Sequence, residues 1–206
     1  MQIDFIFSLL ILMFSVVAHE VAHGYAAYLQ GDNTARFQGR LTLNPLKHLE
    51  WFGSVILPFL AYQLGGFIIG WAKPVPFNPY NLKNQKWGEA IVAFAGPFIN
   101  ICIAVFFGLI IRFATIGVFS VSTDFLHISA TITIINLVLA CFNLVPIPPL
   151  DGSKILFAFL PYNMAHLRAT MEAYGTTILI FFVFFLSQFL SPVVSFLFQV
   201  ITGVGM

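Results

Sequence analysis

Residues 3–30 read IDFIFSLLILMFSVVAHEVAHGYAAYLQ. The first half is an unbroken apolar run after a single acid, Asp4, and the second half carries His19, Glu20 and His23 within five residues. About 20 apolar residues in a helix cross the hydrocarbon of a bilayer, so this line is long enough to span. It lacks the basic start of a secretory leader and continues past the length of one, and is read as a membrane helix of the mature chain. On a helix, residues four apart share a face, which lets His19 and His23 present their imidazoles to one ion. Glu20 stands one step round, next to that ion. The pattern is HExxH: two histidines on a metal with a glutamate as general base. A match by chance in a chain this long is an event of about one per cent. Each charge at bilayer depth costs about 2.5 kcal/mol unless paired or solvated. Packing alone gives no reason to gather three ionisable groups there, although either histidine alone reads equally well as a hydrogen-bonded core residue. His19 lies sixteen residues beyond Ile3, or about 24 Å along the axis. In a core of about 30 Å, that sets the ion within the membrane or just past its far face.

Composition agrees with a lipid solvent. Of 206 residues, 59% are hydrophobic and 8% charged, with a mean hydropathy of +0.93 and 25 Phe. A soluble domain carries about 25% charged residues. The formal net charge of +1 leaves no electrostatic footprint for nucleic acid. Cys102 and Cys141 sit inside apolar runs and read as small hydrophobes, not as a disulfide or a CxxC site.

Apolar runs at about 3–30, 51–70, 89–113, 128–146 and 174–201 predict an all-α polytopic membrane protein with five or six transmembrane helices. The last run contains Pro192 and fits one kinked helix or two shorter passes. Polar stretches at 31–50, 71–88, 114–127 and 161–173 separate the runs, and none is long enough for a soluble domain. Residues 1–206 are therefore expected to form one membrane-embedded domain. Positive-inside counting gives no orientation, because Arg36, Arg40 and Lys47 in the first loop balance Lys73, Lys83 and Lys86 in the second. Those loops would lie on opposite sides if the run at 51–70 crosses fully. The second loop could instead dip back into the protein, where irregular backbone lines a cavity.

A catalytic zinc takes three protein ligands and keeps one position open. Asp32, His48, Glu50, Asp124, His127, Asp151, His166 and Glu172 are the candidates outside the motif. Asp151 differs in context. It ends the run Asn143-Leu144-Val145-Pro146-Ile147-Pro148-Pro149-Leu150-Asp151-Gly152, where three prolines forbid a continuous helix. A carboxylate on such a break can reach a metal held by another helix, or can serve as N-cap of the next one.

With these pieces in view, the chain resembles the site-2 protease (intramembrane zinc metalloprotease) family, in its small form without a PDZ domain. The resemblance rests on His19-Glu20-Val21-Ala22-His23, Asn44-Pro45-Leu46-Lys47-His48, Gly70-Trp71-Ala72-Lys73-Pro74-Val75-Pro76, Ala95-Gly96-Pro97-Phe98-Ile99-Asn100 and the run from Asn143 to Gly152. These occur in the family's order over about residues 15–155. Glu50 stands where the family usually has an aspartate. The resemblance implies one Zn2+ per chain on His19, His23 and Asp151, with Glu20 as the base that activates the attacking water. It further implies hydrolysis of peptide bonds in membrane-spanning protein substrates within a lipid bilayer, and the compact form suggests a bacterial inner membrane. Asn100 and Asn143 would steady the site or touch substrate, with plain helix–helix hydrogen bonding as the alternative. Gly96 and Asn100 have the spacing of close helix packing, and His48 reads as structural. Residues 71–79, rich in proline, suit a short re-entrant, β-like edge onto which an unwound substrate could add as a strand, or an interfacial loop anchored by Trp71. Two rival readings are a metal transporter, which would need repeated ligand sets, and a scaffold that keeps the motif without turnover.

Overall fold

The computed structural model describes the chain except residues 1, 49, 51, 58, 61–62, 64–72 and 206. The described residues form helices and irregular connections, with no strand among them. Helix α1 (Gln2–Leu29) is followed by a single turn, α2 (Thr34–Phe37), and by α3 (Gly88–Thr115), α4 (Thr123–Asn143), α5 (Asp151–Phe159) and α6 (Ala165–Thr202). Short 3-10 turns stand at Pro45–Lys47, Pro79–Asn81 and Tyr162–Met164. Within α1, α3 and α4, three stretches are long and apolar enough to cross a membrane, and a fourth arises if the bent α6 counts as one span. The chain is thus an all-helical, multi-pass membrane protein.

The boundaries have local causes. Helix α4 begins five residues before the predicted run because Ser122 caps it, accepting the N–H of Phe125 on its hydroxyl. It stops at Asn143, where the proline-rich connection starts. Helix α6 begins at Ala165, nine residues before the predicted 174, since polar residues of its first turns lie below a hydropathy threshold yet remain helical. It bends by 73° between Val183 and Gln188, one turn before Pro192. Pro192 cannot donate to the carbonyl of Gln188 and its ring crowds that oxygen, which opens the helix on that side. The predicted run at 51–70 falls largely outside the described residues, as does Trp71. A π-helical turn spans Phe52–Ile56.

Helix α3 is the hub, packed against α1, α4, α5 and α6. Small residues line it where neighbours come closest: Ala90, Ala93, Gly96, Ala104 and Gly108 are all buried. The apolar core is formed by Ala104 and Ile111 of α3, Leu137 of α4, and Val194 and Phe198 of α6. A smaller cluster of Ala27, Leu82 and Val92 closes the opposite end. There the loops interlock: Lys83 N–H donates to the carbonyl of Gln30, and the Gln30 side chain donates to the carbonyl of Gly88.

The polar loops after α1 and before α3 therefore share one end of the bundle. Asp32, 1% exposed, ties them. Its carboxylate accepts from Asn78 N–H at 2.8 Å, Asn81 Nδ2 at 2.8 Å, Thr34 Oγ1 at 2.6 Å and Thr34 N–H at 3.2 Å. The segment Lys73–Asn78 runs between these anchors without strand pairing. Lys73 N–H donates to the His48 carbonyl at 2.8 Å, and Val75 buries its side chain near Gly24.

Candidate metal centre

His19 and His23 lie on the inward face of α1, 5% and 8% exposed, and Asp151 comes up to them from α5 at 7%. His19 Nε2 is 3.1 Å from Asp151 Oδ2, His23 Nε2 is 3.1 Å from the same oxygen, and the two Nε2 atoms are 3.0 Å apart. Each histidine has its other nitrogen committed. His23 Nδ1–H donates to the backbone carbonyl of Val92 at 2.7 Å, and His19 Nδ1 faces Asn100 Oδ1 at 2.6 Å. A carbonyl oxygen only accepts, so Nδ1 carries the proton in both rings and the bare Nε2 lone pairs converge.

Local sequence explains each placement. The four-residue spacing stacks the imidazoles on one side of α1. Pro97 gives no N–H to the carbonyl of Ala93, which loosens α3 at the turn whose neighbouring carbonyl, that of Val92, takes His23. Gly96 faces the pair: a Cβ there would lie 2.5 Å from His23 Nε2 and 2.6 Å from His19 Cε1. The proline run between α4 and α5 turns the chain back so that α5 starts beside α1. Leu150 is the N-cap of α5 and Asp151 its first helical residue, so the capping alternative for Asp151 does not occur. At that position its carboxylate meets the positive end of the helix dipole. Gly152 must lack a side chain, since a Cβ would sit 2.2 Å from the Leu144 carbonyl oxygen.

Zinc fits this donor set. Two neutral imidazoles and a carboxylate form a recognised catalytic ligand set, and tetrahedral bonds of about 2.0–2.1 Å separate ligand atoms by about 3.3 Å. The three atoms here stand 3.0–3.1 Å apart. Among the described residues they form the one cluster of His, Cys, Asp or Glu compact enough to hold an ion.

Glu20 accepts the Val75 N–H on Oε2 at 2.8 Å, and among the described residues its other oxygen takes no further bond. Lys154 Nζ lies 3.6 Å from Asp151 Oδ1, on the outer side of the carboxylate. The other ligand candidates stand elsewhere. Asp32 and His48 hold loops, His48 being buried with Nε2–H on the Thr42 carbonyl. Asp124 and His127 border a cavity with Phe7 and Ser8, toward the Gln2 end of α1. Glu172 pairs with Arg168, which also reaches Glu89. Asn143 spends its amide on its own helix, donating to the Leu139 carbonyl. From sequence, Gly96 reads as a close-packing position and Asn100 either as steadying the site or as bonding between helices. In the structure both touch the histidines, and their four-residue spacing on α3 was the signal available.

Comparison with known proteins agrees with this arrangement. The candidate zinc metalloprotease YwhC of Bacillus subtilis is 38% identical over 192 residues, covering 90% of this chain and 80% of that protein. Rip2 of Mycolicibacterium smegmatis, also named as a candidate zinc metalloprotease, is 30% identical over 168 residues, 82% of this chain and 62% of its own. A zinc metalloprotease of Methanocaldococcus jannaschii is 27% identical over 166 residues, 80% of this chain and 38% of its own. No solved structure gives a significant match. The model of peptidase family M50 matches residues 7–120 and 114–186. With donors from α1 and α5 meeting inside a bundle that this match spans almost throughout, the chain belongs to peptidase family M50.

Proposed function

We propose that the protein is an intramembrane zinc metalloprotease that hydrolyses peptide bonds of membrane-spanning protein substrates. His19, His23 and Asp151 hold one Zn2+, and Glu20 is the catalytic base. The observation that carries this reading is the convergence of three buried donor atoms whose second hydrogen bonds leave both Nε2 lone pairs bare.

Zinc bound there supplies a Lewis acid that polarises the scissile carbonyl and makes water more acidic. Glu20 takes a proton from the attacking water as its oxygen bonds to the carbonyl carbon. The same carboxyl group then gives the proton to the departing nitrogen as the C–N bond breaks, so base and acid are one residue. Val75 N–H holds Glu20 Oε2 and orients the carboxylate toward the metal-ligand histidines' side of α1, where it would take the proton. Lys154 keeps a positive charge beside Asp151 and favours its ionised form.

A substrate helix hides its carbonyls in its own hydrogen bonds and must be unwound locally. The extended segment at 73–78 lies beside Glu20 and supports a role as docking edge. Its chemistry restricts how it pairs. Lys73 and Val75 spend their N–H groups inward, and Pro74 and Pro76 have none. From 73 to 76 this edge offers carbonyls, so a substrate strand would bind through its own N–H groups.

The helices are placed in one domain over residues 1–206, in a bacterial inner membrane; the expectation of five or six spans counted the run at 51–70, most of which lies outside the described residues. The test is zinc content and cleavage of a transmembrane peptide, side by side for wild type and Glu20→Gln in detergent. Both should bind about one zinc, and only wild type should cut. Turnover by the variant removes Glu20 from its role, and absence of zinc from both removes the metal site.

A further inference from the structure

The hydrogen bond behind His19 does not stop at Asn100. Asn100 Nδ2 donates to Asn136 Oδ1 on α4 at 2.8 Å and to the Ser15 backbone carbonyl on α1 at 3.3 Å. Asn136 Nδ2 donates to the Ser15 hydroxyl and to the Ile132 backbone carbonyl, both at 2.9 Å. Asn100 and Asn136 are 0% exposed, and Ser15 is 5% exposed. The four amide hydrogens are thus all placed, in a region with no water-facing surface.

A side-chain amide can be turned end for end, and here its orientation follows from partners that only accept. The Ile132 carbonyl accepts, so Asn136 must present its NH2 there and its oxygen toward Asn100. That oxygen and the Ser15 carbonyl both accept, so Asn100 must present its NH2 to them and its oxygen to His19. The Asn100 oxygen in turn fixes the proton of His19 on Nδ1. Two backbone carbonyls, on α4 and α1, therefore set the tautomer of an imidazole on α1 through two asparagines.

We infer that Asn136, with Ser15, is a positioning residue of the metal centre: it locks the Asn100 amide so that His19 offers Nε2 to the ion. This rests on the zinc reading above. Partners behind a metal-binding histidine commonly change metal affinity or activity about 10–100-fold when removed. Asn136 acts at one further remove and touches neither ligand nor substrate.

The experiment measures zinc affinity by competition with a chelator, with folding followed by thermal melting in detergent. Wild type, Asn136→Leu, Asn136→Asp and Asn136→Ala are compared. Leucine keeps the shape of asparagine and loses its polar atoms. A protonated aspartic acid keeps an acceptor for Asn100 and a donor for the Ile132 carbonyl. The inference expects zinc binding about 10-fold or more weaker for leucine and within about threefold of wild type for aspartate. Asn136→Ala, which cannot clash, should match leucine and replaces it if leucine prevents folding. Wild-type affinity in the leucine or alanine variant overturns the inference. So does the reverse order, with leucine tolerated and aspartate not, because that is the behaviour of a packing residue. A wild-type protein that binds no zinc at all overturns the metal reading itself, a result distinct from either.

Discussion

A single hydrogen atom decides how close α3 comes to the metal centre. Replacing Gly96 by alanine places a methyl group within 2.6 Å of both imidazoles, and neither ring can retreat without breaking its bond to Val92 or Asn100. Gly96→Ala is expected to weaken zinc binding and to lower cleavage by about 100-fold, as a displacement near 1 Å does to a rate. Metal analysis of the folded variant checks it. At Asp32, burial pushes the carboxyl up, but hydrogen bonds from Thr34, Asn81 and the backbone N–H groups of Asn78 and Thr34 outweigh it and hold the group below its usual 3.8. A lowered folded value stabilises the protein above 3.8, and that contribution is lost as pH falls below it. Asp32→Asn should therefore destabilise by about 1–3 kcal/mol near neutrality, with the gap to wild type closing below pH 3.8. Melting curves across that range measure both. The shared face of His19 and His23 was legible in the sequence because it is local to one helix. The contact of Gly96 with the histidines was not legible, because a packing glycine and a glycine facing an imidazole leave the same trace, whereas a place behind the site was one of the two readings of Asn100.

Among elements, the segment at 73–78 has the sharpest test. Val75→Pro removes the N–H that holds Glu20, at a position already extended between two prolines. Zinc binding should remain while kcat falls about 10–100-fold, a part of the roughly 100–10,000-fold that a positioned general base contributes. Unchanged kcat would leave that contact a packing detail. Apolar length located three of the helices well, since burial in lipid demands it. Their ends were less legible: Ser122 starts α4 and the polar first turns start α6, and neither signal is hydrophobic. The role of Asp151 could not be decided from proline breaks alone. Which way α5 points after the turn depends on contacts with α1 and α3, far away in sequence.

For the molecule as a whole, the sharing of one end by both polar loops alters the charge balance. Arg36, Arg40, Lys47, Lys73, Lys83 and Lys86 lie in those loops, and Lys154 and Arg168 join them through Asp151 and Glu89. Of nine Lys and Arg, only Arg112 is left at the far end, where it donates to the Val200 carbonyl. The positive-inside rule then assigns the loop end, with the metal centre near it, to the cytoplasmic side. A cysteine at Lys83 should react with an impermeant thiol reagent only from the cytoplasm, and one at Val118 only from the opposite side. The reverse pattern would reject this orientation.

Asp151 follows His19 by 132 residues, and among the described residues two complete membrane helices, α3 and α4, lie between them. During synthesis the ribosome delivers the two histidines first, and two donors fall short of the three that a catalytic zinc requires. On the proposed ligation by His19, His23 and Asp151, a growing chain is unarmed until its second half has entered the bilayer and folded back. In this sense the order of translation alone would keep the enzyme silent until it is folded.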